Sequence, residues 1–155
     1  MSELNKTEYD VVNEILTHRK KVIALSRKVT DELMMRAHVH DQSKLVSPEK
    51  EVFEQHSWRL QGLTYFSKEY KLYLTHMDSA IQHHYTVSRH HPECFTDGIN
   101  GMNLVDILEM LCDWRAACDQ HKDGDIFKSI QICKQRFNIS DQLAQILVNT
   151  VNDLL

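Results

Sequence analysis

The sequence predicts an all-α fold: a compact single-domain helical bundle of about six or seven helices occupying residues 1–155. Three observations predict it. Only 4 glycines and 2 prolines occur in 155 residues, where average usage would supply about 19, so turns are few and elements long. Apolar residues recur at steps of three and four, the period of one helix face. Capping residues stand where the apolar stripes begin. A chain of this length buries roughly 68–70% of its unfolded surface, enough for one core.

The elements follow in order. Neither Pro nor Gly occurs before Pro48, and Val11, Ile15, Val22, Leu25 and Val29 form an inward stripe, predicting a long first helix. A second helical stretch, continuous with it or nearly so, runs from about Thr30 into His40 with Leu33, Met34 and Ala37 inward. Ser47-Pro48-Glu49 reads as an N-cap, a first-turn proline and a dipole-favourable acid, starting a third helix that ends near Gly62. Ser67 caps a fourth, with Tyr70, Tyr73, Met77 and Ile81 on its apolar face, ending near Arg89. Residues His90 to Gly101 hold Pro92, Gly98 and Gly101 and form the one long irregular loop, the kind of segment that carries function. Asn103 caps a fifth helix with Leu104, Leu108 and Leu111 on one face. The turn Lys122-Asp123-Gly124-Asp125 opens a sixth, and Ser140 caps the last. No strand, repeat, linker or low-complexity tract is legible.

Composition narrows the function. Apolar residues at 42% and charged residues at 26% are ordinary for a globular chain and exclude disorder. A net charge of −4 removes the general drive toward a nucleic-acid backbone or an anionic membrane. No window approaches ~18 apolar residues, and Met-Ser-Glu-Leu-Asn-Lys is no leader, so a cytoplasmic location is expected. Cys94, Cys112, Cys118 and Cys133 form no CxxC pair and read as small core residues. Gly-rich phosphate loops, HExxH and Gly-x-Ser-x-Gly are all absent, which speaks against P-loop enzymes and serine hydrolases.

Ten histidines are the outlier. At about 100° per residue, His18 falls in the middle of the first stripe, and His84 shares the apolar face of the fourth helix while His83 does not. Counted from Leu33, His40, Asp41 and Lys44 point inward and His38 lies off that face. A buried Asp is rare unless paired or bound to a metal. Three inward histidines on three helical stretches plus that acid predict one convergent site.

His40-Asp41-Gln42-Ser43-Lys44 resembles the His-Asp-x-Gly-Lys signature of the HD superfamily of metal-dependent phosphohydrolases, with Ser43 in place of Gly. The order of an upstream His18, then His40-Asp41, then a distant helical Asp113 also matches that superfamily. His90-His91-Pro92-Glu93 with Asp97-Gly98 looks like the paired-histidine segment of the HD-GYP branch, though no Gly-Tyr-Pro follows. Together with Glu109-Met110-Leu111-Cys112-Asp113-Trp114, the set is most similar to small, mostly phage-encoded HD-like proteins of uncharacterised function. A phage origin would make the location a host cytoplasm.

The resemblance implies an HD-type all-α core in which His18, His40, Asp41 and Asp113 hold one metal while His84, His90 and His91 supply a second. Periodicity by itself puts Asp113 opposite Leu108 and Leu111, beside Asp106 and Glu109, so the ligand role requires that polar face to look into a cleft. Mixed imidazole and carboxylate ligands suit one or two divalent ions from Mn, Fe, Co, Ni and Zn. The implied chemistry is hydrolysis of a small phosphorylated substrate, a nucleotide first, with a nucleoside 5′-monophosphate phosphomonoesterase ahead of a cyclic-nucleotide or cyclic-dinucleotide phosphodiesterase. Asp41 and Lys44 would serve the chemistry, Lys44 and Arg89 the substrate phosphate, and the general acid would be Glu93, Asp97 or metal-bound water alone. A non-catalytic metal- or nucleotide-binding phage accessory protein is the alternative of another class. Neither membrane nor stable nucleic-acid polymer is an expected partner, and a homo-oligomer is left open.

Overall fold

The computed structural model describes residues 11–64 and 67–155. Among these the chain is an all-α bundle: α1 (Val11–Val39), α2 (Glu49–Leu60), α3 (Lys68–Leu74), α4 (Asp78–Val87), α5 (Leu104–Asp119), α6 (Ile126–Arg136) and α7 (Asp141–Leu154). Short 3₁₀ turns at Gln42–Leu45, Thr75–Met77, Pro92–Cys94 and Gly98–Gly101 fill the connections. No helix among the described residues is long and apolar enough to cross a membrane.

Local chemistry accounts for most boundaries. Ser67 accepts from the Tyr70 N–H, Asp125 from Phe127 and Lys128, and Ser140 from Leu143. Asn103 and Asp106 form a reciprocal capping box on α5. Ser47 is not a cap: Pro48 holds the cap position without a side-chain bond, and Glu49, the first residue of α2, is drawn fully inside. The expected fourth helix is divided into α3 and α4 at Thr75–Met77. There the Thr75 hydroxyl donates to Leu72 O at 2.7 Å, a back-bond that bends helices. Gly124 is forced by contact, since a Cβ there would lie 1.9 Å from Cys118 O.

The apolar core lies between α5, α6 and α7, centred on Met110, Leu111, Ile130 and Leu147, each 0–2% exposed. Leu104 of the expected α5 stripe is outside it, exposed at the helix start. Cys118 and Cys133 join the core, whereas Cys94 is half-buried and Cys112 exposed; all four thiols are free.

Helix α1 overturns an expectation. It is one continuous helix of 29 residues, ~43 Å long, yet none of its residues is buried. Val11, Ile15, Val22, Leu25 and Val29 are 45–62% exposed, Met34 and Ala37 are exposed, and Leu33 is half-buried. The reason is where it is held. Arg36, near its C-terminal end, is bonded to Asp106 of α5, and no described element covers the apolar stripe further back. The helix stops at Val39, and Asp41 follows in the left-handed region at φ 58°.

Candidate metal centre

The end of α1, the turn after it, α4, the His90–His91 loop start and the polar face of α5 converge on one place. His84 Nε2 lies 3.1 Å from Asp41 Oδ1, His90 Nε2 3.5 Å, and His40 Nε2 3.7 Å. On the other side His40 Nε2 is 3.5 Å from Asp113 Oδ1. Asp41 Oδ1, His84 Nε2 and His90 Nε2 are all buried without a hydrogen bond of acceptable geometry. Such atoms are costly unless something else satisfies them. Ligands bound at about 2.1 Å stand roughly 3.0–3.4 Å apart around a tetrahedral or octahedral ion, so the spacing fits a cation. Two groups whose ligand atoms lie within 4.8 Å of one another, His84–His90–His91 and His40–His90–Asp113, share His90 and could hold a metal ion.

Two buried carboxylates aim the rings. His40 Nδ1–H donates to Glu109 Oε1 at 3.0 Å, and His90 Nδ1 lies 3.4 Å from the same oxygen. His84 Nδ1–H donates to Glu49 Oε2 at 3.0 Å, and Ser43 Oγ donates to that oxygen at 2.9 Å. With Nδ1 of each ring turned to a carboxylate, the Nε2 atoms face the centre, the arrangement by which outer carboxylates orient metal-binding histidines. Asp113 raises His40 most, with Glu109 and Asp41 adding to it, to about 9 against the opposing effect of burial. Burial opposes ionisation of Asp41, but His84, His90 and Lys44 together hold its carboxyl far below the usual range. Burial, then His90 and His84, push His91 down to about 2, the neutral form that ligates.

Of the residues singled out in the sequence, the fold gathers His40, Asp41, His84, His90, His91 and Asp113. His18 is the correction. It is exposed on α1, ~30 Å from that helix's C-terminal end, because the stripe it belongs to is not covered. His83 is 41% exposed against 3% for His84, matching the helical phase, and His38 is exposed. Lys44 reaches the site by another route than expected: α1 ends before it, and a 3₁₀ turn places its Nζ 2.6 Å from Asp41 Oδ2. Arg89 is not turned to the cluster; its guanidinium makes two 3.0 Å bonds to Asp106 and lies over Phe95. Glu93 is likewise engaged, 2.6 Å from Arg136 Nη2.

Residues 7–153 match the family of unknown function DUF5662. The chain belongs to this family. No curated protein and no solved structure matches it.

In this DUF5662 member the cluster opens to solvent through two joined cavities. An inner chamber of about 250 Å³ has His84, His91 and Asp113 in its wall. An outer cleft of about 1080 Å³ runs to His121 and Lys122, and Lys44, Phe53, Leu60 and Tyr70 line both. The acidic stripe of α5 thus looks into the interior: Asp106 is 0% and Glu109 8% exposed. Sequence reasoning missed Glu49 and Glu109. Their available signal was a need for acceptors, since each inward imidazole requires a partner for its second nitrogen.

Proposed function

We propose that the chain is a metal-dependent phosphohydrolase for a small nucleotide, first of all a (deoxy)nucleoside 5′-monophosphate phosphomonoesterase. One observation carries the reading: three histidine Nε2 atoms gather around a buried Asp41 oxygen beside a cavity that Lys44 lines. His40, Asp41, His84, His90, His91 and Asp113 would hold one or two divalent ions of the Mn, Fe, Co, Ni or Zn kind. When bound, the metal supplies Lewis acidity and lowers the pKa of water toward ~7.

The chain's own groups do the rest. Glu49 and Glu109 fix the imidazole rings before substrate arrives, so no reorganisation is left for the reaction itself. Lys44 Nζ stands at Asp41 Oδ2, where a phosphate entering from the cleft brings further oxygens for its remaining N–H groups. There it offsets charge growing on the non-bridging oxygens. The net charge of −4 favours a small substrate over a nucleic-acid polymer.

The test is elemental analysis of untagged protein followed by phosphate-release screening of nucleoside monophosphates, cyclic nucleotides and cyclic dinucleotides with Mn, Co, Ni and Fe in turn. Release from monophosphates is expected. Turnover of cyclic species alone would move the assignment to a phosphodiesterase. The ion pairs that engage Lys44, Arg89 and Glu93 favour one rival, a non-catalytic metal- or nucleotide-binding accessory protein; bound metal with no turnover of any substrate would select it.

A further inference from the structure

We propose that the inner chamber is a recognition pocket for one flat heteroaromatic ring, so that the substrate's phosphate meets the histidine cluster while its ring is held between aromatic walls. This rests on the phosphohydrolase reading for the phosphate end and on the chamber alone for the ring.

The chamber combines two chemistries. His84, His91 and Asp113 of the cluster share its walls with Phe53, Tyr70, Tyr85, Trp114 and Phe137, and the Tyr85 ring lies 4.5 Å from that of His91. Five aromatic side chains around one small space is a stacking environment, and every base offers a π-face to such rings. Volume limits the guest. At about 250 Å³, against ~30 Å³ per water in the liquid, the space holds one ring system and not two. The chamber also has a polar edge: Arg136 lines it, its guanidinium 5.4 Å from the centre of Tyr85 and 4.7 Å from that of Phe137. A cation set among rings in this way favours a ring that carries hydrogen-bond acceptors over a plain hydrocarbon.

The outer cleft is built differently. Its lining includes Ser57, Gln61, Thr64, Gln120 and Lys122, so it suits the hydrated sugar part of a ligand. Lys44, lining both cavities, marks the junction where the phosphate would lie. The geometry therefore assigns a phosphate ester bearing a single base, with the base innermost.

The test is calorimetric titration of the full chain with free nucleosides, which have the ring and no phosphate, and with glycerol phosphate, which has the phosphate and no ring. Nucleosides should bind, and Leu74→Phe, which adds bulk to the chamber wall, should weaken them tenfold or more while glycerol phosphate affinity and metal content stay unchanged. Ile81→Phe, from the neighbouring helix, should do the same and serves if Leu74→Phe does not fold. Equal nucleoside affinity in wild type and both variants, or no nucleoside binding by a protein that hydrolyses nucleotides, would overturn the inference while leaving the phosphohydrolase standing. Nucleoside binding lost in the variants, in a protein with no hydrolysis, would do the reverse.

Discussion

Helices α5 to α7 and helices α1 to α4 bury different things. Between α5, α6 and α7 the fully enclosed side chains are mostly apolar, Leu111, Ile130 and Leu147 among them. Among the described residues of the N-terminal half, up to the His90 loop, those buried are Glu49, His84 and His90 with only Met77 and Ala80 beside them, and α1 buries nothing. Apolar burial yields about 25 cal/mol per Å². A buried polar group yields stability only when its partners are all in place. Stability in the C-terminal half therefore rests on apolar packing, and in the N-terminal half on the polar cluster having its partners in place.

The largest effect should come from Asp41→Ala, which removes the shared oxygen from three histidines. Elemental analysis should find the metal lost and phosphate release abolished. Hydrogen exchange should show α2 and α4 losing protection while α6 and α7 keep theirs, and treatment with EDTA should give the same pattern with a lower melting temperature. Uniform loss of protection along the chain would erase the distinction between the halves.

Leu147→Ala probes the other side and should cost about 2–5 kcal/mol, as truncation in a packed core does, with metal retained. Val22→Ala, on the exposed stripe of α1, should stay within about 0.5 kcal/mol in the same denaturant titration. A large cost at Val22 would mean that the stripe is covered in solution, by a second copy of the chain or another partner.

Lys44→Ala should keep metal and helicity and lower turnover by about 10²-fold, the usual size for deleting one electrostatic group at a reaction centre. If metal leaves together with activity, the pairing with Asp41 is what the lysine is for, and its place is with the polar half's architecture.

The smallest contrast concerns the outer carboxylates. Glu109→Gln should weaken metal affinity about 10–100-fold in a chelator competition, since it touches His40 and His90 at once. His83→Ala should change affinity only a few-fold, although its Nδ1 lies 2.7 Å from Glu49. Equal losses at both positions would make Glu49, with His83 behind it, as important an orienting group as Glu109.

Elements with local causes were legible in the sequence. Ser67, Asn103, Asp125 and Ser140 stand where the helices start because a cap needs only its own next few residues. His84 against His83 was legible for the same reason, since phase within one helix is a local quantity. What failed was non-local. An apolar stripe says that a helix can be covered and not by what, so α1 and His18 were placed inside when no described element lies over them. Phase arithmetic also carried Lys44 along a helix that had already ended, and the residue reached the cluster through a turn instead. The partners of Arg89, Glu93 and Glu49 lie 17, 43 and 35 residues away, beyond the reach of any local pattern.

Asp41 joins two jobs that could have been separate. Its left-handed backbone, φ 58°, follows the end of α1, and its side-chain oxygen lies at the focus of the histidines. Left-handed geometry is reached routinely by glycine and, among side-chain-bearing residues, chiefly by asparagine and aspartate. The stop signal and the central anion thus intersect in a single residue type: glycine would end the helix without a carboxylate, asparagine without a charge, and glutamate would bring the charge on a backbone that resists the turn. One more residue of helix before the stop would swing the next side chain by about 100° and carry the carboxylate off the focus. The punctuation of α1 and the composition of the centre are in this sense one character, to be changed together or not at all.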